Sequence, residues 1–217
     1  GKEDEAFNIV HQFIEIHNFM ISEYMIGVDV RANNVTINNV IGNQFGNWDS
    51  NAKGWDTGSS FTNENNNGYG ILFSGIFNSK ATNNLIVNAG HVSYFFVNGG
   101  NHVVNNNIGV TNDTGNGSDY IFDFYSCSDN NINNNIGLRN YSSTTAHQSR
   151  SMILQEQSDN NSVTNFTAIN CRFQIENSNN NIIKGLNMYT TNGASGENSV
   201  SIQIYAQADN NIIQNYS

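Results

Sequence analysis

The placing of asparagine constrains this chain more than any other feature. Pairs of Asn close short runs of β-branched and aromatic residues at Asn33-Asn34, Asn130-Asn131, Asn160-Asn161, Asn180-Asn181 and Asn210-Asn211. The runs that precede the turns include Gly27-Val-Asp-Val-Arg-Ala, Gly70-Ile-Leu-Phe-Ser-Gly, Ser93-Tyr-Phe-Phe-Val-Asn, Tyr120-Ile-Phe-Asp-Phe-Tyr, Ser151-Met-Ile-Leu-Gln-Glu, Arg172-Phe-Gln-Ile-Glu-Asn and Val200-Ser-Ile-Gln-Ile-Tyr. Runs of this length and alternation read as strands. After each turn comes a second short strand, as in Val35-Thr-Ile, His102-Val-Val and Ile182-Ile-Lys. A single Asn and a third strand follow, as at Asn18, Asn39, Asn84, Asn107, Asn135 and Asn165.

The intervals between those single asparagines are 21, 45, 23, 28 and 30 residues. Three strands and their turns in about 20–30 residues make one turn of a β-solenoid. The interval of 45 is one such coil carrying an insertion at 42–69. The expected architecture is all-β, a single right-handed parallel β-helix of about eight three-strand coils. Residues 1–12 read as a lead-in and 13–217 as the solenoid. Asparagine suits the corners because it tolerates left-handed backbone angles. Gly185, which replaces Asn at one corner, tolerates them too. Stacked at the strand spacing, Asn amides can bond to one another along the axis.

Composition supports a thin, regular core. About one residue in five is Asn, and proline is absent, while thirteen Phe and nine Tyr remain to fill an interior. A disordered chain would be poor in such residues. The net charge of -10, with eight Lys and Arg, argues against nucleic acid as partner. It also disfavours a strongly anionic substrate unless a metal intervenes. No apolar stretch is long enough for a membrane span. Few lysines and abundant Asn, Ser and Thr point to an extracellular or cell-surface location. Cys127 and Cys171 fall two coils apart, about 10 Å at the strand spacing, beyond disulfide reach. Both are expected as free, buried thiols.

The segments 27–41 and 70–75, and the opening Phe13-Ile-Glu-Ile-His-Asn-Phe-Met-Ile-Ser, resemble the repeats of pectate-lyase-like and NosD-type right-handed β-helix proteins. The whole resembles the archaeal disaggregatase-related β-helix group, which is linked to breakdown of a cell-wall polysaccharide. The resemblance implies a polysaccharide-degrading enzyme, hydrolase or lyase, with polysaccharide as partner. The catalytic and calcium motifs of pectate lyases are not recognisable here. Scaffold likeness carries fold more than function, so a non-catalytic carbohydrate-binding or structural surface module is the alternative.

Function in a solenoid collects where the repeat is broken, here at 42–69, 111–119, 139–150 and 189–199. These breaks should wall a groove floored by outward side chains of the first strand. The insertion holds Trp48 and Trp55, with Asp49, Lys53, Asp56 and Tyr69, and the rings could stack on sugars or pack the loop itself. Candidate acids and bases are Asp29, Asp123, Asp49, Asp56, His147 and Tyr125, with Arg150 to offset charge and Arg31 to bind substrate. Glu156 is a further floor acid. A glycosidase needs two carboxyls about 5 to 9.5 Å apart, and a lyase needs a base with a cation or metal nearby. For Asp29 and Asp123 the bland alternative is a solvated outer face. No cofactor is required and no metal site is assigned. Asp113-Thr-Gly-Asn116-Gly-Ser-Asp119 carries oxygen ligands that could hold Ca²⁺, although a glycine-rich turn accounts for it as well. The final coil stops after its second strand, which leads to the expectation of further domains or a neighbouring chain at that end.

Overall fold

The computed structural model describes residues 5–46, 68–111, 120–139, 150–191 and 201–217, and the backbone of 48–49 and 54–55. The chain is a right-handed parallel β-helix. Three parallel sheets run along it, with eight, eight and seven strands. Eight coils are numbered here by their strand in the first sheet: Glu5–Ile9, Ile26–Val30, Tyr69–Ser74, Val92–Gly100, Tyr120–Ser128, Arg150–Gln155, Arg172–Glu176 and Ile202–Tyr205. The second sheet stacks three-residue strands from Glu15–His17 to Ile212–Gln214, and the third runs from Met20–Ser22 to Asn187–Tyr189. Glu5–Ile9 pairs with Ile26–Val30, so the solenoid begins inside the stretch expected as a lead-in. Ile41–Phe45 belongs to the third sheet, so the first residues of the expected insertion are scaffold. Trp48–Asp49 pairs antiparallel with Gly54–Trp55.

The interior is a set of stacked columns. Phe73, Phe96 and Phe124 stack face to face with centroids 4.9 and 4.6 Å apart, and Tyr94 lies on Phe122 at 4.6 Å. Parallel in-register pairing places like residue over like, one coil up. Each fully buried ring or aliphatic side chain stabilises the fold by about 1.5–3 kcal/mol. The corner between third and first sheets is close-packed: a Cβ on Gly109 would lie 2.1 Å from Cγ2 of Ile121. Only glycine lets the strands approach there.

The corners hold two kinds of asparagine, where the sequence suggested one. At each turn one residue takes the left-handed conformation. Between second and third sheets these are Asn18, Asn39, Asn83, Asn106, Asn134, Asn165, Gly185 and Asn215, with φ between 52° and 67°. Asn83, Asn106 and Asn134 therefore align with Asn18, Asn39 and Asn165, and the register is one residue earlier than the expected Asn84, Asn107 and Asn135. Those three fall on the next position, which faces inward. They form a buried ladder: Asn84 Nδ2 donates to Asn107 Oδ1 at 3.0 Å, and Asn107 Nδ2 to Asn135 Oδ1 at 3.0 Å. Each carbonyl also takes a backbone N–H, as Val40 N–H to Asn84 Oδ1 at 2.9 Å.

A longer ladder runs under the corner between first and second sheets. Asn130 Nδ2 donates to Asn161 Oδ1 at 2.7 Å, and Asn181 Nδ2 to Asn211 Oδ1 at 3.0 Å. Asn161 N–H donates to Asn181 Oδ1 at 2.8 Å and joins the two pairs. Below them, His102 N–H donates to Asn130 Oδ1, and Ser79 N–H donates to Nδ1 of His102 at 3.2 Å. Corner N–H groups point along the axis and are buried, so each needs an acceptor; the side chain one coil up supplies it. Cys127 and Cys171 are free and buried, as expected.

Candidate functional site

The outer face of the first sheet is where the described structure departs from plain scaffold. Pairing registers define three outward columns there. The leading column runs Ile26, Tyr69, Val92, Tyr120, Arg150, Arg172. The middle column runs Asp29, Leu72, Phe95, Asp123, Ile153, Gln174, Gln203. The trailing column, from coil 3 on, runs Ser74, Val97, Tyr125, Gln155, Glu176, Tyr205. Strand alternation sends the middle and trailing columns away from the core, and Tyr69, Val92 and Tyr120 of the leading column pack with Leu72 and Ile153 on that same side.

The leading and middle columns of this face are largely covered. Tyr69, Leu72, Val92, Tyr120 and Ile153 form a second apolar cluster, apart from the core, with Ile26, Phe95 and Val97 against it. Asp29 and Asp123 are 1% and 2% exposed. The solvated outer face that would have made these acids ordinary is therefore absent. His91 is edge-on to Tyr69 at 5.7 Å and to Tyr120 at 5.6 Å, and burial lowers its pKa to about 4.

Coil 2 carries an ion pair. Arg31 Nε donates to Asp29 Oδ2 at 2.8 Å, and the two residues lie two apart on one strand end. Coils 5 to 7 carry a more extended arrangement. Gln155 Nε2 donates to Asp123 Oδ1 at 2.8 Å. Arg150 Nε donates to Gln174 Oε1 at 2.5 Å, and Gln174 Nε2 donates to Glu176 Oε2 at 2.6 Å. The Arg150 guanidinium lies 5.0 Å from the centroid of Tyr120, a cation–π contact. Burial raises the pKa of Asp123 from 3.8 to about 7, against the opposing pull of the Gln155 bond and the Arg150 charge. A carboxyl poised near neutrality can carry a proton to a reacting group.

The structure thus brings Asp123, Tyr125 and Arg150 onto one patch, with Tyr69 two coils below Tyr120 in the same column. It separates Asp29 from Asp123 by three ladder steps, about 14 Å, too far for one glycosidase pair. Lys53, Asp56 and His147 lie outside the described residues, as do the side chains of Trp48, Asp49 and Trp55 and the segment 113–119. Gln155, Gln174, Glu176 and Arg172 were not foreseen as site residues. The alternation in Arg172-Phe-Gln-Ile-Glu pointed to three of them, because Phe173 and Ile175 must face the core. Among the described residues no three His, Cys, Asp or Glu side chains converge as a metal site, and no helix is long and apolar enough to cross a membrane. Comparison with family models, with curated proteins and with solved structures finds no match for this chain.

Proposed function

We propose that this protein is a polysaccharide-degrading enzyme of the cell surface or extracellular space, with Asp123 as its proton donor. The observation that carries this reading is the burial of the Asp123 carboxyl on an outer face it shares with Leu72, Phe95 and Ile153. Burying an ionisable group there costs several kcal/mol, and a scaffold position would be served by another aliphatic residue. Perturbed acids of this kind concentrate at functional sites. Tyr125 and Gln155, partly exposed beside it, supply a ring and an amide of the sort that engages sugar faces and hydroxyls. The resemblance of 27–41 and 70–75 to pectate-lyase-like, NosD-type and disaggregatase-related repeats agrees with this chemistry.

A second reading, a non-catalytic saccharide-binding surface, draws on the trailing column. Tyr205 is 46% exposed and shares that column with Tyr125, Gln155 and Glu176. One experiment separates the two readings. Wild-type protein and Asp123→Asn are incubated with xylan, mixed-linkage glucan, chitosan, polygalacturonate and chondroitin. Reducing ends and the ultraviolet absorbance of unsaturated products are recorded, with binding measured in parallel. Reducing ends from the wild type and none from the variant support the enzyme. Binding without cleavage by either protein overturns it in favour of the binding module.

A further inference from the structure

We propose that Glu176 is the second carboxyl of this site, the base that activates water while Asp123 protonates the leaving oxygen, so that cleavage inverts the sugar's anomeric centre. The inference rests on the enzyme reading above, commits it to hydrolysis, and adds a residue and a stereochemical outcome.

Three observations place the two carboxyls in one unit. First, both face outward from the same sheet, in adjacent columns: Asp123 pairs with Ile153 and then Gln174, while Tyr125 pairs with Gln155 and then Glu176. Second, each is held by a glutamine amide, Gln155 to Asp123 at 2.8 Å and Gln174 to Glu176 at 2.6 Å. These bonds fix the direction of both side chains. Third, Gln174 is gripped in turn by Arg150, so the Glu176 carboxyl is oriented by a residue of the coil between them. Gln155 and Glu176 are direct cross-strand neighbours, so the residue that holds Asp123 is paired with Glu176.

Spacing decides the mechanism. Two ladder steps separate the backbones of Asp123 and Glu176 by about 10 Å along the axis. That separation is wider than the roughly 5–5.5 Å at which a carboxylate attacks the sugar directly. It lies nearer the roughly 6.5–9.5 Å at which inverting enzymes hold their two carboxyls. Accessibility assigns the roles. Asp123 is 2% exposed, behind Gln155, whereas Glu176 is only partly buried and open to water. In the step itself the C1–O bond breaks and its oxygen takes the Asp123 proton. A water oxygen bonds to C1 from the opposite face and gives its proton to Glu176. The proton returns to Asp123 through solvent.

The test uses the full chain and, from the panel above, the polysaccharide that yields most reducing ends. Early-time proton NMR reads the anomer released by the wild type. Glu176→Gln and Glu176→Ala are assayed with and without sodium azide. The expected results are an inverted product and a kcat reduced by about 10²–10⁴ in Glu176→Gln, with KM and thermal midpoint little changed. Azide should restore turnover to Glu176→Ala by forming the inverted glycosyl azide. A retained product, or a Glu176→Gln protein of near wild-type rate where Asp123→Asn is inactive, would overturn the assignment and leave the hydrolase reading standing. Unsaturated product from the wild type would overturn it in favour of a lyase. No cleavage of any panel member would remove the hydrolase reading and this inference together.

Discussion

Asn130 and Asn161 share one oxygen between two bonds. Oδ1 of Asn161 accepts the side-chain amide of Asn130 at 2.7 Å and its backbone N–H at 2.9 Å. Nδ2 of Asn161 donates in turn to the carbonyls of Ser158 at 2.9 Å and Cys127 at 3.3 Å. The residue is 1% exposed. An interior side chain therefore closes backbone groups that the strand ladders leave over.

Asn161→Ala leaves those groups buried without partners and is expected to destabilise the fold by about 3–5 kcal/mol. Asn165→Ala, at an exposed left-handed corner with φ 52° and one side-chain bond to Asn134, should cost about 1 kcal/mol. Denaturant midpoints of the two variants check the difference. Equal losses would mean that the interior ladder adds nothing beyond the corner.

His102 occupies the position that Asn130, Asn161, Asn181 and Asn211 fill in later coils. Its Nδ1 accepts Ser79 N–H, and its ring lies 5.5 Å from both Phe73 and Phe96. Burial lowers its pKa from 6.5 to about 4. The folded state then binds fewer protons than the unfolded chain. The stability this contributes is present above pH 6.5 and is lost as pH falls through about 4. Asn at 102 offers the same acceptor and does not titrate. His102→Asn should fold, and between pH 6.5 and 4 it should lose about 3 kcal/mol less than the wild type. His91 leaves a similar acid-sensitive share in both proteins. Parallel stability curves over that window would refute the ladder role.

Asp123 has the opposite sign. Its folded pKa is raised from 3.8 to about 7, so its contribution is present below pH 3.8 and is lost as pH rises through 7. Asp123→Asn keeps an acceptor for Gln155 and removes the charge. It should match the wild type below pH 3.8 and exceed it above pH 7 by up to about 4 kcal/mol. Urea unfolding at the two extremes reads this directly. A variant less stable than wild type above pH 7 would show that the ionised carboxyl stabilises this face.

Cys127 and Cys171 are 0% and 1% exposed, and burial pushes the Cys127 thiol up to about 12. Reactivity follows the thiolate and its access. A chromogenic disulfide reagent should therefore titrate neither thiol in native protein and both after unfolding. Rapid labelling of either in the native state would place it on the surface.

Much of this architecture is legible in the sequence, and the reason is local. Asn-Asn and the apolar doublets recur because corners demand left-handed residues and cores demand Val, Ile and Phe, one coil at a time. The register of Asn84, Asn107 and Asn135 differs by one position from the expectation because adjacent asparagines, as in Asn83-Asn84 and Asn134-Asn135, are chemically alike. Only the backbone distinguishes the left-handed Asn from its buried neighbour. The site was less legible. Asp123 and Arg150 stand out as scarce charges, but their partners Gln155 and Gln174 come from other coils. Cross-coil contacts depend on register, and coil lengths vary too much to fix it from spacing alone.

Asp123 is a covered acid on the outer face of the first sheet, and its own titration is the most direct test of its role as a proton carrier. Carbon-13 NMR of the side-chain carboxyl, assigned by its absence in Asp123→Asn, gives the midpoint. The expected midpoint is near 7, while a midpoint near the ordinary 3.8 would show a solvated acid and contradict the role proposed for Asp123.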